Sequence, residues 1–353
     1  MNFALAPDSS NQPEKVLHPQ TFPSNELSIN ESLWSKHYQF LSEHGYTLRN
    51  RYRPGWKASW LSGLRKISEC EDAVLLLPGH TIDATRSDGM LVALKKIDLR
   101  SNYTEEIEIG KLFSSLELSE TGLAFIVMPL LYTTQLVPFE TLGEVIEYIR
   151  QILEGVHFMH ENNVAHGHVI LNLLLQPPSA NFCLQIVIPS MTLDYSGKVS
   201  QPDTRTNKPV KYYLVGFHKS INYHNQDSQE KEWVDKPSKY QFAADIYYLG
   251  NMLSMHFLDG GRNMGFNIAP KQGFEFMRKL ISDMMNGDPD RRPDMGEVVA
   301  RFNSLVDGLN NIQLRSPVIS AGETLGIYKS MTHWAKQLIY MAQGIPPIPT
   351  ADF

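Results

Sequence analysis

The spacing of apolar residues changes part-way along the chain. After Pro138, the residues Leu142, Val145, Ile146, Ile149, Leu153, Val156 and Met159 recur at three and four positions, the period of an amphipathic helix. Thr141 with Glu144 forms a capping box at its start. A second helix is predicted from about Ala243, with Ile246, Leu249, Leu253 and Phe257 on one face. A third uses Phe274, Met277, Leu280, Ile281, Met284 and Met285. Its methionines read as core filler, because a flexible thioether side chain fits irregular gaps.

Before Pro138 the apolar runs are short. Ala73 to Leu77, closed by Pro78-Gly79, predicts a strand. Met90 to Ile97, preceded by the turn signal Asp88-Gly89, predicts another, and Ala124 to Met128 a third. Between them, Tyr103 to Leu116 predicts a short helix from Ile107, Leu112 and Phe113. Residues 1–35 are rich in Pro, Ser and Asn and lack an apolar period, so a disordered tail is expected there. Residues 177–211 and 220–240 read as polar loops, and no internal repeat is visible.

Strands followed by helices predict an α+β chain with two lobes. The boundaries fall at 36–130 for a small β-rich lobe and 131–309 for a larger helical lobe. An extension, 310–353, is expected to pack on the helical lobe through Trp334, Leu338 and Tyr340.

Composition narrows the function. The 353 residues carry 32 Lys plus Arg against 38 Asp plus Glu, a formal charge of −6, which speaks against a nucleic-acid binder. Two cysteines, Cys70 and Cys183, build no disulfide framework, and a reducing, intracellular compartment (cytoplasmic or nuclear) is the expectation. The longest apolar run, Leu123 to Tyr132, is about half the ~20 residues of a bilayer helix, so no membrane span is expected. Met1 to Pro7 lacks the basic and apolar regions of a signal peptide. His157 and His160 stand one helical turn apart, yet no further ligand is well placed for zinc, and they read as solvated helix-end residues.

Several short motifs run in a telling order. Val92-Ala93-Leu94-Lys95 resembles the strand on which protein kinases hold the lysine that reaches ATP phosphates. Glu106 follows like the helix glutamate that pairs with that lysine, and Phe125 to Leu131 is similar to the last small-lobe strand entering the hinge. His160 to His166 occupies the approach to a catalytic loop. Asp245-Ile246-Tyr247-Tyr248-Leu249-Gly250 resembles the start of the central large-lobe helix. Asp288-Pro289-Asp290-Arg291-Arg292-Pro293 resembles a late kinase motif. The local wording is similar to a group of fungal protein-kinase-like chains. It appears in Tyr52-Arg53-Pro54-Gly55-Trp56, Pro138-Phe139-Glu140-Thr141, His333-Trp334 and Ile345-Pro346-Pro347-Ile348-Pro349, and spans about 45–350. The resemblance implies a bilobal protein-kinase-like fold.

The chemistry of that family is degraded here. Kinases read His-Arg-Asp, four residues, then Asn, where Asp receives the acceptor proton and Asn holds a metal. This loop reads His166-Gly167-His168-Val169-Ile170-Leu171-Asn172-Leu173, so His168 stands at the base position and Leu173 at the metal position. The metal-binding Asp-Phe-Gly is replaced by Gly216-Phe217-His218. Glycine has no side-chain oxygen, and magnesium wants hard oxygen ligands. No Gly-x-Gly-x-x-Gly precedes Lys95, and no Ala-Pro-Glu precedes Asp245. Losing one preorganised electrostatic contact typically costs ~10²–10³ in rate, so losing base and metal ligands together predicts a loss of at least about 10⁴.

The resemblance therefore implies a pseudokinase acting as a scaffold or regulator that binds another protein, in one version a true kinase. The alternative is a weakly active ATP-dependent Ser/Thr kinase using His168. A third reading is a nucleotide sensor. No catalytic or metal-ligating residue carries over and no cofactor is required. ATP without magnesium stays an open option: Lys95 would hold a phosphate and pair with Glu106, while the backbones of Pro129 and Leu131 would meet adenine.

Overall fold

The computed structural model describes residues 25–64, 66–67, 70–73, 81–99, 107, 109, 115–118, 122–130, 138–167, 204–214, 216–223, 237–263 and 266–351. It is an α+β chain: an antiparallel sheet occupies the first part and helices dominate the second.

Helices α1 (Ile29–Lys36) and α2 (Tyr38–Glu43) precede a five-stranded sheet. Its strands are β1 (Tyr46–Leu48), β2 (Thr81–Arg86), β3 (Leu91–Asp98), β4 (Ser115–Leu118) and β5 (Leu123–Pro129), in the order β1-β2-β3-β5-β4. The turn signal Asp88-Gly89 closes the β2–β3 hairpin. Gly89 takes φ +84°, a left-handed conformation suited to glycine, and its N–H donates to the Arg86 carbonyl at 2.8 Å. Alternation splits β3 between two small cores. Val92 and Leu94 pack with Trp34, Leu41, Phe125 and Val127. Ile97, on the opposite face, packs with Ile107, Ala124 and Ile126. Ile107 and Ile109 are helical, but the predicted helix does not reach Leu116, because β4 starts at Ser115 and pairs with β5. The strand predicted over Ala73 to Leu77 lies outside the described residues except for Ala73, which ends a 3₁₀ turn.

Of the disordered tail expected over 1–35, residues 1–24 lie outside the described residues, and the rest is not as expected. Residues 29–36 are helical, and Trp34 is fully buried with its ring 5.6 Å from that of Phe125. Ser28 caps α1 reciprocally with Glu31, through bonds of 3.3 and 2.8 Å. Glu31 also accepts from Arg51 Nε at 2.5 Å, and the Arg51 guanidinium lies 4.6 Å over the Trp56 ring. Nearby, Asp72 accepts from Ser59 N and Trp56 Nε1, both at 2.9 Å, and from Ser59 Oγ at 2.5 Å. One large aromatic and one buried ion pair hold this helix, which is why no apolar period announced it.

The helical part is built on α3 (Leu142–Glu161), as its period predicted. Thr141 caps it by accepting from Glu144 N at 3.2 Å. Glu144 does not close the box onto Thr141; its Oε2 accepts from Glu140 N, and its Oε1 accepts from Thr206 N and Oγ1 at 2.9 and 2.8 Å. That bond buries Thr206 and Arg205, residues read from sequence as surface loop. After α3 comes β6 (Val164–Ala165), which pairs with β7 (Ile221–Asn222).

Helix α4 (Pro237–Leu253) continues through a π turn, Ser254–Leu258, which carries Phe257 to 5.0 Å from Phe274. The hairpin β8 (Gly261–Asn263) and β9 (Phe266–Ile268) follows. Helices α5 (Arg278–Met284) and α6 (Met295–Asp307) complete the core, with Ile149, Leu249, Met284 and Phe302 at its centre. The methionines are packing residues, as expected.

The C-terminal segment holds α7 (Asn311–Leu314) and α8 (Ile327–Ala342). It docks through a few apolar side chains, with Leu314 in the helical core and Val318 and Ile348 packed against it, and through polar groups. Arg315, 4% exposed, donates to Gln337 Oε1 at 3.2 Å and to the Ile345 carbonyl at 2.5 Å. His333 Nε2 lies 2.8 Å from the Arg315 carbonyl, and Lys336 pairs with Glu140 at 2.8 Å. Of the three expected anchors, Tyr340 is buried and lies 3.0 Å from Thr204 Oγ1, and Trp334 is half-buried, but Leu338 is 62% exposed and anchors nothing. Beyond α8 the chain returns so closely that a Cβ on Gly143 would lie 1.9 Å from the Pro347 carbonyl.

Two outcomes are expected. Trp34→Ala lowers unfolding free energy by about 3–5 kcal/mol in a denaturant titration, the usual loss for a buried large aromatic; a flexible tail gives no change. The second concerns acid. Burial pushes the Glu31 and Asp72 carboxyls up, but bonds from Arg51 and Ser28, and from Ser59 and Trp56, more than offset it and hold both below the usual carboxylate range. A depressed folded pKa gives stability that is complete above the unfolded values (about 4) and lost as pH falls through the folded ones. Unfolding followed by tryptophan fluorescence between pH 5 and about 2 shows that loss, and its slope is shallower in Asp72→Asn.

Candidate functional site

A tightly bonded crossing of α3, β6, β7 and α4 lies where the sequence motifs converge. Asn162 ends α3, and Asn163 takes φ +54°, turning the chain into β6. Val164, Ala165 and His166 are all fully buried. Asp245 on α4, also fully buried, accepts from His166 N at 2.8 Å with Oδ2 and from Gly167 N at 2.9 Å with Oδ1. His160 Nε2 lies 3.1 Å from Oδ2, and its ring packs 4.7 Å from Phe242. His160 was expected at a solvated helix end; its side chain is only 11% exposed because it serves the buried carboxylate.

The facing segment closes against this loop. Gly216 takes φ +88°, and Phe217–Lys219 forms a 3₁₀ turn. The Phe217 ring lies 5.5 Å from that of His166. Ser220 Oγ donates to the His166 carbonyl at 2.9 Å. A Cβ on Gly167 would meet the Lys219 carbonyl at 2.4 Å, and its φ is +68°, so contact and conformation both call for glycine there. Phe217 also packs against a cluster of Ile109, Met159 and Val164, which joins a helical residue of the first part to the end of α3.

The sequence-derived site residues distribute as follows. Lys95 is half-buried on β3, in register with Ile126, on the face shared with Ile97 and away from Trp34. Its neighbour Lys96 takes the other face, with Nζ 5.4 Å from the Trp34 ring and 3.2 Å from the Asn30 carbonyl; burial lowers its pKa. Pro129 ends β5 opposite Val92. Glu106 and Leu131 lie outside the described residues, as do His168, Ile170, Asn172 and Leu173. Arg292 bonds the carbonyls of Asn286 and Ala243 at 2.7 and 2.8 Å and stacks 4.8 Å over Tyr247.

The Asp245 carboxylate is occupied by backbone N–H groups and His160, so its work is to hold a loop. Gly216 brings no side chain to this crossing. Among the described residues, no group of three or more His, Cys, Asp or Glu side chains could hold a metal ion. Among them, too, no helix is long and apolar enough to cross a membrane. A comparison with protein-family models returned no match for this chain, and a comparison with curated proteins returned none either.

Asp245→Asn places an amide N–H against a backbone N–H and removes the charge that strengthens both bonds. A loss of about 2–4 kcal/mol is expected by chemical denaturation, with earlier hydrogen exchange at His166 and Gly167.

Proposed function

We propose that this chain is a protein-kinase-like domain that has lost phosphoryl transfer and works by binding another protein. In this reading the sheet-bearing part is the small lobe and the helical part the large lobe. The observation that carries it is the Asp245 clamp on His166 and Gly167, combined with glycine at position 216. A buried carboxylate holding a loop by two backbone N–H groups is the kind of device that positions a catalytic loop, and the His166–Phe217 contact supports the same reading. The loop framework is kept while a metal-gripping carboxylate beside it is not.

Lys95 adds a second element. A half-buried ammonium at mid-strand suits an anionic ligand such as a nucleotide phosphate, held as a point charge without magnesium. In the alternative, His168 acts as a base in a weakly active Ser/Thr kinase; histidine's neutral-range titration is what favours it.

Incubation with ATP, magnesium and a generic protein substrate is expected to give no phosphate incorporation above that of a heat-denatured control. ATP is expected to raise the melting temperature equally with magnesium and with a chelator, or not at all if the domain is a pure scaffold. Incorporation that disappears in Lys95→Ala, or a rise in melting temperature that requires magnesium, restores the kinase reading.

A further inference from the structure

Helix α8 presents its apolar residues outward. Ile327, Tyr328, Met331, Leu338, Ile339 and Met341 are 82, 80, 68, 62, 56 and 48% exposed, while His333, Lys336, Gln337 and Tyr340 make the docking contacts. On a helical wheel the apolar side chains, with Trp334, Ala335 and Ala342, fill an uninterrupted arc of about 160°. A surface helix with its core behind it normally shows the opposite arrangement. Six large side chains at roughly 60–120 Å² each give about 360–720 Å² of contiguous apolar surface, at the upper end of the ~300–600 Å² of the largest patch on an ordinary monomer and most of the ~800 Å² per partner of a stable interface once flanking residues are added.

The residue pattern suits a second copy of the same helix. A two-fold interface must be self-complementary: if residue i meets j, then j meets i. Reversing α8 about the midpoint between Trp334 and Ala335 sends Ile327 to Ala342, Tyr328 to Met341, Met331 to Leu338, and Trp334 to Ala335. Apolar positions fall on apolar positions, and two of the pairs set a large side chain against alanine. Ile339 is the exception and maps to Ser330. Charge permits the same arrangement. No acidic residue lies between Leu325 and Ala351, Lys336 is paired with Glu140, and the exposed Lys329 is off the apolar arc. In an antiparallel pair the two Lys329 residues stand ~16 Å apart along the axis, beyond the ~8 Å screening length at physiological salt.

We propose that α8 is a homodimer interface, on which a second copy of this chain packs its own α8 antiparallel about the Trp334–Ala335 midpoint. The face shares no residue with Lys95, Gly216 or the Asp245 clamp, so this proposal and the nucleotide reading fail separately.

Sedimentation of the full chain across a concentration series tests it. The unsubstituted protein is expected to run as a reversible dimer. Leu338→Glu and Met331→Glu each weaken self-association by about tenfold or more with an unchanged melting profile of the monomer, since both side chains are exposed in it. Ala335→Cys brings two thiols together across the axis and forms a covalent dimer on mild oxidation, beyond any seen with the unsubstituted chain, whereas Tyr328→Cys, ~20 Å from its own copy, does not. A chain that stays monomeric overturns the proposal. So does a dimer indifferent to Leu338→Glu. A monomer whose melting temperature falls in Leu338→Glu assigns the face to a segment of the same chain instead. Equal crosslinking by Ala335→Cys and Tyr328→Cys rejects the antiparallel register.

Discussion

A single buried carboxylate organises the centre of this protein. Asp245 has no exposure and, among the described residues, no Lys or Arg paired with it, yet it accepts two backbone N–H groups from a loop 78 residues earlier in the chain, together with a bond shared with His160. A buried charge is tolerated only where donors replace its water. The loop, the end of α3 and the middle of α4 therefore have to stay together, and α4 cannot shift without stranding the charge. The His166–Phe217 contact and the Ser220 bond then fix the opposite segment against the same loop.

The same logic recurs at the edges. Glu31 with Arg51 fastens the N-terminal helix to the irregular segment that follows β1, and Asp72 with Ser59 and Trp56 ties that segment to itself. Glu144 with Thr206 fastens a returning loop to α3, and Arg315 with Gln337 fastens the C-terminal helix α8 to the segment that follows α7. These elements combine a buried polar anchor with one or two apolar side chains, such as Trp34 and Leu41 at the sheet and Leu314 at the helical bundle. Such anchors confer geometry more than net stability, because desolvation consumes much of the attraction. This frees α8 to turn its apolar arc outward, since its own docking does not need it.

Elements that bury a periodic stripe were legible: α3, α4 with its Phe257, and β3 and β5 all follow their apolar positions. The motifs that contain His166, Phe217 and Asp245 were legible as separate segments in a kinase-like order, and the fold brings them into contact. What stayed hidden depended on single side chains. Nothing local marks Trp34 as the buried residue of an otherwise polar helix, or His160 as a partner of a carboxylate 85 residues away. Leu338 was misassigned because periodicity locates the apolar face of a helix but not the side of the helix on which the protein lies.

Local patterns along the chain were enough to set the α+β division, the principal helix and its cap, the hairpin at Asp88-Gly89 and the lack of a carboxylate at position 216. These are properties of neighbouring residues: period, φ preference and side-chain chemistry. Folding in three dimensions was needed to select which polar residues are buried and to whom they bond, and which way α8 faces. Those depend on contacts between segments far apart in the chain, where one hydrogen bond or one aromatic ring outweighs local propensity.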